Sequence, residues 1–481
     1  MRIPKKLVLA SLVALVLVSL ATYEIKRQQA ANTAEAGSPL NQRRVNAPYN
    51  APVAERAIFW FGQVNATSNY TNVRLGYDDE ALIIHAHVFD RQLWYDKSPQ
   101  PGDLAAWDAV SVYLDLAGSG GTAPGSSSYH FVAQFNAPFQ PRDGYQAAYR
   151  GNGAGWEAAP VAFLTEAGYR GEGFNNGAEA RGWWAEFKLP FASLGLTSRP
   201  PAGTLWALAV VTHDRDSQEG PPVADQVWPE TADDLNPSTW GQLHYGSHTY
   251  DTPLAAPQGT TTIRHGVNGA SVADAHVGGH SICGSGLDPW TQWGDTNYAG
   301  YHQINIQNQW DVSDWPCYSK YYGTFPLDAI PAGDKVIISA TLTINQLGNA
   351  GQGLSPPAQP SWIQVHSVAE SWDEATITWN NAPLAAENLL GAWSEPHNDP
   401  LEWPGLPITW NVTGAVAQAH AAGEPLRLAL YEADIAQHSG KYFYSSDAGE
   451  AARPVLRITW GTEVEPVAWS FLPLVAASNS R

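Results

Sequence analysis

The chain of 481 residues has few charged side chains, a single methionine and only two cysteines. Charged residues make up 15% of the sequence and hydrophobic residues 44%, a balance that excludes disorder of the whole chain. Lysine and arginine number 26 against 46 acidic residues, which gives a net charge of −20. Phosphate binding needs clustered basic residues, so this balance argues against nucleic acid as a partner and against attracting polyanions by charge.

The composition favours strands and turns where helix formers are scarce. The chain contains 21 Trp, 20 Tyr and 13 Phe, together with 43 Gly and 35 Pro. Aromatic residues are typical of strands, and glycine and proline are typical of turns. We therefore predict an all-β protein. Its surplus tryptophans indicate either large core side chains or flat platforms that stack on ligands.

The N-terminus combines a basic start with an apolar run. Arg2, Lys5 and Lys6 precede a nearly continuous apolar stretch over 7–23, which is the pattern of an export signal. The run is long for a signal peptide and short for a membrane span, so cleavage and retention as an anchor both stay open. In either case the rest of the chain is expected outside the cell or at its surface, with membrane contact only through this segment.

The two cysteines, Cys283 and Cys317, form an isolated pair. In an exported protein such a pair favours a disulfide, which would stabilise the fold by about 3–4 kcal/mol on the chain-entropy model. No CxxC motif or nearby histidine pair completes four ligands, which argues against a zinc site.

Residues 47–246 show short alternating runs between turn clusters. Over 82–89 the apolar residues recur at every second position, and 205–212 is almost wholly apolar, as expected for a strand covered on both faces. Strands at this spacing predict a β-sandwich. An acidic loop with Asp214 and Asp216 offers hard oxygen ligands suited to calcium, the alternative being a solvated loop.

Several motifs follow one another in this region: Tyr77-Asp78-Asp79-Glu80, Trp107-Asp108-Ala109-Val110, Trp184-Ala185-Glu186-Phe187-Lys188-Leu189-Pro190 and Trp240-Gly241-Gln242-Leu243. Their order resembles the family 9 carbohydrate-binding modules and their DOMON-like relatives. The resemblance implies a β-sandwich, often stabilised by calcium, that holds the ends of sugar chains between two tryptophan faces. By position these would be Trp107 and Trp228. The family pattern includes a glutamate in the strand after the first tryptophan, where this chain has Val110-Ser111-Val112. It also includes an arginine on a neighbouring strand, where this chain has Tyr129-His130-Phe131.

A second pattern occupies residues 261–461, after a stretch over 247–260 that reads as a linker. It contains Trp372-Asp373-Glu374, Thr378-Trp379-Asn380 and Ile408-Thr409-Trp410-Asn411. This resembles a DNRLRE domain, a class that includes the family 96 carbohydrate-binding modules, and it implies a jelly-roll-like β-sandwich. We interpret Trp372, Trp379 and Trp410 as core residues. An aromatic-rich segment is either a recognition loop or a loop packed on the sandwich; its aromatic residues are Trp290, Trp293, Tyr298, Tyr301, Trp310 and Trp315.

The predicted organisation is thus an export signal or anchor with spacer (1–46), two β-sandwich domains in tandem (47–246 and 261–461) and a C-terminal tail (462–481). No nucleophile elbow, metalloprotease helix or phosphate-binding loop occurs, although a glycosidase needs only two carboxylates placed in space. We predict an exported, non-catalytic protein that binds a polysaccharide or glycan. The alternatives are a structural or adhesive surface protein that binds no sugar and an extracellular glycan-active enzyme.

Overall fold

The computed structural model describes residues 42–464, apart from 119–120, 139, 281–285, 309–316, 332 and 434–435. From Arg43 onwards the described residues belong to one compact unit. The predicted export segment up to residue 41, the tail beyond 464 and Cys283 lie outside the described residues, so the export signal and the disulfide stay predictions. Within the described part of the chain, no helix is long and apolar enough to cross a membrane.

The first region folds into strands that form two facing sheets. These strands are β1 (Arg44–Ala47), β2 (Ala57–Asn65), β3 (Ser68–Tyr77), β4 (Ala81–Phe89), β5 (Ala109–Asp115), β6 (Ser128–Gln134), β7 (Gln146–Gly151), β8 (Trp156–Ala158), β9 (Leu164–Gly171), β10 (Ala180–Pro190), β11 (Leu205–His213), β12 (Gln226–Trp228) and β13 (Gly241–Tyr245). Sheet I has the order β2-β3-β4-β10-β9. Sheet II runs β1-β13-β11-β5-β6-β7-β8, with β12 also beside β11.

The alternation predicted over 82–89 is confirmed in β4. Leu82, Ile84, Ala86 and Val88 point into the core between sheets I and II. The apolar run over 205–212 forms β11, which lies between β5 and β13 in the middle of sheet II. Burying apolar side chains between the two sheets is the main force that holds this sandwich together.

The second region forms a second sandwich. Its strands are β14 (Ala255–Ile263), β15 (Ala273–Gly278), β16 (Gln303–Asn308), β17 (Tyr318–Phe325), β18 (Lys335–Asn349), β19 (Ser361–Ser367), β20 (Glu387–Ser394), β21 (Leu406–Asn411), β22 (Leu426–Glu432), β23 (Lys441–Tyr444) and β24 (Val455–Glu463), and its helix is α1 (Thr413–Ala422). Sheet III has the order β15-β17-β22-β19-β20. In sheet IV, β18 pairs with β24, β21 and β23, and β14 pairs with β24.

The prediction of an all-β protein with two β-sandwiches is confirmed. β14 begins at Ala255, within the stretch 247–260 that the sequence indicated as a linker, and pairs with β24 along its length. The predicted core residue Trp410 is 1% exposed and packs in the second core.

The back of sheet I, the face turned away from its own core, packs against the back of sheet III. The apolar residues that meet there from the two sheets are Ile58, Trp60, Val64, Tyr70 and Phe89 from the first region and Ala275, Val277, Tyr318, Tyr322, Ala429 and Tyr431 from the second. Trp293 and Trp379, from loops of the second region, join the same cluster. We call this contact the inter-sandwich interface. It makes the two sandwiches one packed body rather than two domains on a flexible connection.

Lys320 on β17 is buried in the inter-sandwich interface, with 1% of its surface exposed. Its Nζ lies 3.7 Å from the ring centre of Trp379, 4.5 Å from that of Trp60 and 4.8 Å from that of Tyr70. Tyr431 completes the surroundings at 5.3 Å. The ammonium also donates a hydrogen bond to the Tyr70 hydroxyl at 3.1 Å. Because ring faces carry negative electrostatic potential, these aromatic residues, which we call the lysine cage, attract the buried ammonium.

Strand β1 connects the two sandwiches through hydrogen bonds. It pairs in parallel with β13 of the first sandwich, and Arg44 also pairs with Glu387 at the start of β20. Asn46 donates to the Glu387 carboxylate and to the Asn388 carbonyl oxygen, at 2.8 and 2.7 Å. This strand is therefore a structural part of both sandwiches.

Candidate functional site

Buried carboxylates from both sheets of the first sandwich meet at one end of it. Asp90 follows β4 of sheet I, and Asp214 and Asp216 follow β11 of sheet II. One oxygen atom from each of the three lies within 4.8 Å of the others. Asp108, just before β5, is buried beside them and accepts hydrogen bonds from the backbone N–H groups of Trp94 and Arg215, at 2.6 and 2.9 Å. We call these four aspartates the acidic cluster.

The surroundings of the acidic cluster oppose ionisation of its carboxyl groups. Burial, together with the negative charges of neighbouring aspartates, raises the pKa of Asp90 and of Asp108 well above the usual range. Burial and then the charge of Asp216 raise the pKa of Asp214 to about 7. Among the described residues, Asp90 Oδ2 and Asp214 Oδ1 have no hydrogen-bond partner. Carboxylate oxygens gathered in this way suit a hard cation such as calcium, which would neutralise the repulsion.

Of the three aspartates that could hold a metal ion together, the sequence predicted two and missed the third. Asp214 and Asp216 belong to this group, Asp90 was not foreseen, and the exposed Glu219 takes no part in it. Within the described residues, no other group of three such side chains lies close enough to hold a metal ion. His85 and His87 are neighbours on the back of sheet I, and a guanidinium nitrogen of Arg74 lies 2.8 Å from His87 Nδ1.

The two tryptophans predicted as sugar platforms occupy different environments. Trp228 is 1% exposed, and its ring lies 4.2 Å from that of Phe59 in the core of the first sandwich. A side chain so deeply buried offers no face to a ligand, which corrects its interpretation as a platform. Trp107 is half-buried, and the guanidinium carbon of Arg215 lies 4.5 Å from its ring centre. The structure therefore does not bring the two together as facing platforms.

An aromatic row crosses the outer face of sheet II. Tyr113, His130 and Tyr149 lie opposite one another on β5, β6 and β7. The Tyr113 and His130 rings stack at 4.2 Å, and the His130 and Tyr149 rings at 5.2 Å. Trp156 packs 5.6 Å from both Tyr113 and His130, and it stacks parallel to Trp240 at 6.4 Å. Because His130, Tyr149 and Trp156 are only half-buried, parts of this row reach the surface.

A chain of hydrogen bonds runs beside the aromatic row. Asp225 lies 2.9 Å from His213 Nδ1, and Ser111 Oγ lies 2.9 Å from both His213 Nε2 and His130 Nε2. The order acid–histidine–serine is that of a hydrolase triad, but Ser111 is fully buried and its hydroxyl is shared by two imidazoles. Burial lowers the pKa of His130 to about 3, so this histidine stays neutral. The arrangement suits hydrogen bonding better than nucleophilic attack.

Ser111 and His130 come from the two segments that depart from the family 9 pattern. Where that pattern places a glutamate and an arginine, this chain has neutral groups that are hydrogen-bonded to each other at 2.9 Å. The structure thus brings the two departures together as one site. A single sequence could show each substitution but not that the substituted side chains meet.

The aromatic-rich segment of the second region is largely internal. Trp290, Trp293 and Tyr298 are buried, whereas Tyr301 is 45% exposed. Trp310 and Trp315 lie outside the described residues. The most exposed tryptophans described in this region were not foreseen as contact residues: Trp393 is 42% exposed and Trp403 is 56% exposed.

The comparison with protein families bears on the second of the two resemblances. Residues 289–460 match the model of carbohydrate-binding module family 96, which confirms the resemblance stated for the second region. No curated protein matches the chain.

Modules of carbohydrate-binding family 9 are among the solved structures to which this chain is similar. One is a family 9 module from Caldicellulosiruptor kristjanssonii in complex with cellotriose, with a TM-score of 0.31, 16% identity and coverage of 43% of this chain and 95% of that one. A complex with glucose gives a TM-score of 0.30, 16% identity and coverage of 44% and 100%. A putative carbohydrate-binding protein from Bacteroides uniformis gives 0.31, 12% identity and coverage of 43% and 100%.

Proposed function

We propose that this chain is an exported, non-catalytic protein that binds a polysaccharide or glycan outside the cell or at its surface. The observation that carries the proposal is the match of residues 289–460 to carbohydrate-binding module family 96. The acidic net charge of −20 favours a neutral glycan over a polyanionic one.

In the first sandwich, the proposed contact surface is Trp107 together with the exposed part of the aromatic row. Trp156 and Tyr149 offer aromatic surface to the C–H face of a sugar ring, and the neutral imidazole of His130 lies between them. Sugar sites combine such apolar faces with a few polar groups that select the hydroxyl pattern. Of the two tryptophans predicted from the sequence, only Trp107 remains part of this proposal.

We also propose calcium as a structural cofactor held by Asp90, Asp214 and Asp216. Since these residues follow strands of opposite sheets, a bound cation would connect sheet I to sheet II at this end of the sandwich. Its role would be to compensate the buried negative charge and to fix the loop after β11, on which Arg215 covers Trp107.

A glycan array probed with the full chain, with and without calcium, tests the proposal. We expect reproducible binding that weakens in Trp107→Ala and Trp156→Ala. The matched control is Leu164→Ala, which removes a side chain that is 65% exposed on sheet I, away from the aromatic row. Equal binding by all variants would refute this surface, and no binding by the unmodified chain would refute the function. Release of reducing ends from a bound glycan would refute the non-catalytic part.

The inter-sandwich interface favours a second candidate function, that of a structural or adhesive surface protein. A body of two sandwiches joined through a buried apolar contact is a rigid spacer regardless of sugar binding. An array without any binding, combined with cooperative unfolding of the whole body, would support this candidate instead.

A further inference from the structure

Two tryptophans stand side by side on the back of sheet III. Trp362 on β19 and Trp393 on β20 are directly opposite partners in an antiparallel pair. Their ring centres are 5.5 Å apart, and the ring planes are inclined by 60°. Trp393 is 42% exposed and Trp362 is half-buried. Opposite residues of a pair project from the same face of a sheet, so both indoles lie on one surface.

A glycine positions the first of these rings. A Cβ atom on Gly391 would lie 2.5 Å from both Nε1 and Cε2 of Trp362, which is too close for any side chain. The indole of Trp362 therefore lies directly on the backbone of β20. The strand supports one side of this ring, and the side chain remains partly exposed. A stacking platform has this property, whereas a core tryptophan is enclosed on both faces.

This surface continues the inter-sandwich interface. Gln364, two residues after Trp362 on the same face of β19, donates from Nε2 to the Arg56 carbonyl oxygen at 2.6 Å and accepts from the Ile58 N–H at 3.4 Å. The back of sheet III is thus covered by the first sandwich up to Gln364, and the tryptophan pair begins where that cover ends. A ligand bound to the pair would lie beside the first sandwich as well.

The size and charge of the surface favour a sugar over a protein. A stable protein interface buries about 800 Å² on each partner, far more than two indoles provide. The net charge of −20 opposes a polyanion. Because the two rings are inclined rather than coplanar, they fit a single twisted chain better than the flat face of a crystalline polymer.

We propose that Trp362 and Trp393 form a second sugar-binding platform, which takes a single chain of a neutral polysaccharide. The proposal rests on the function proposed above and assigns it a location in the second sandwich. Both residues fall within 289–460, the part of the chain that matches carbohydrate-binding module family 96.

Affinity electrophoresis of the full chain tests the proposal, in gels that contain hydroxyethylcellulose, xylan, laminarin, pullulan or polygalacturonate. In the neutral gels that retard the unmodified chain, we expect Trp362→Ala and Trp393→Ala each to weaken binding about tenfold. Gly391→Ala keeps both tryptophans but displaces the Trp362 ring, and we expect it to weaken binding as well. The matched control, Trp403→Ala, removes another exposed tryptophan of the same sandwich, and we expect retardation to stay unchanged. Unaltered thermal unfolding midpoints show that the variants fold.

Several outcomes would overturn the proposal. They are undiminished retardation of the Trp362 and Trp393 variants, loss of binding in Trp403→Ala, retardation by polygalacturonate alone, and tight binding to crystalline cellulose without binding to any soluble neutral chain. Self-association that Trp393→Ala abolishes would assign the surface to a second copy of the chain. If the unmodified chain binds no polysaccharide, the function proposed above fails together with the platform. If it binds and only the Trp107 and Trp156 variants lose affinity, the platform alone fails.

Discussion

The acidic cluster and the lysine cage both bury charge, but their surroundings differ. In the cluster, carboxyl groups face one another, and burial together with like charge raises the pKa of Asp90 and Asp108. In the cage, a single amino group faces aromatic rings, and burial lowers the pKa of Lys320 well below its usual range. The rings of the cage attract the ammonium they surround, whereas the carboxylates of the cluster repel one another.

The difference teaches that buried charge can serve two purposes. The cage is complete with the chain's own atoms, as expected of a feature that joins two sandwiches. The cluster is complete only with protons or a cation from outside, as expected of a binding site. Its repulsion is a cost to the fold, and a bound cation would relieve that cost.

The largest expected effect comes from opening the cage. Trp379→Ala removes the ring closest to the Lys320 ammonium, along with contacts to Trp293 at 4.9 Å and Tyr70 at 4.8 Å. We expect a loss of about 3–5 kcal/mol in the free energy of unfolding, as is usual for large-to-small core substitutions. Differential scanning calorimetry should still show one transition, at lower temperature. Two transitions, of which only one is shifted, would show that the interface does not couple the sandwiches.

Removing calcium should have the next largest effect. If the cluster binds calcium, chelation lowers the melting temperature, by the equivalent of about 2.7 kcal/mol at a hundredfold excess over the dissociation constant. Asp90→Asn should abolish this shift and raise the stability of the chelated protein, because it removes a carboxyl group whose ionisation the fold opposes. Glu219→Gln is the control and should behave like the unmodified chain. An equal calcium shift in Asp90→Asn would contradict the site.

A buried carboxyl group outside the acidic cluster sharpens the comparison through its pH dependence. Asp274 accepts hydrogen bonds from the Ser446 N–H at 2.9 Å and the Tyr321 hydroxyl at 3.2 Å, yet burial raises its pKa to about 7. The negative charges of Glu374 and Asp447 act in the same direction. A folded-state pKa above the unfolded value of about 3.9 means that the folded chain holds the extra proton. Its stabilising contribution is complete below the unfolded value and is lost as pH rises through about 7.

Asp274→Asn should therefore flatten the decline in stability between about pH 5 and pH 7, where one proton contributes about 1.4 kcal/mol per pH unit. Denaturant unfolding at several pH values measures the slope. An identical slope in the variant would show that Asp274 ionises normally in the folded chain.

The smallest expected effect is that of Lys320→Met. The substitution keeps the volume inside the cage and removes the cost of burying a charge, so we expect stability to change by less than about 1.5 kcal/mol. Thermal unfolding of Lys320→Met and Trp379→Ala, measured side by side, compares their losses of stability. A loss as large as that of Trp379→Ala would mean that the ammonium, rather than the packed rings, holds the interface together.

The sequence predicted the sandwiches well because alternation along a strand reports its two faces directly. It could not predict the inter-sandwich interface, since alternation does not tell whether the second face of a strand meets water or another sheet. On β4, His87 and Phe89 lie on that second face and are nevertheless buried. Apolar and large aromatic residues on both faces of a strand were the available signal.

The residues of the candidate sites also differ in how far the sequence could predict them. Asp214 and Asp216 are neighbours in the chain, so the sequence alone could associate them. Asp90 joins them only because β4 and β11 end at the same side of the sandwich, which no local pattern shows. Trp228 was misjudged for a related reason: position within a motif does not tell whether a ring faces the core or solvent.

Strand β1 has a mechanical consequence. A pulling force applied to the chain at Arg43 would act along β1, which is held sideways by its parallel partner β13 and by Glu387 and Asn388 near the start of β20. Hydrogen bonds loaded in this direction share the force and must break together, whereas a hairpin pulled from its open end unzips one pair at a time. The two sandwiches would therefore resist a pulling force at this point together. Tension on the chain would load both of them before either began to unfold.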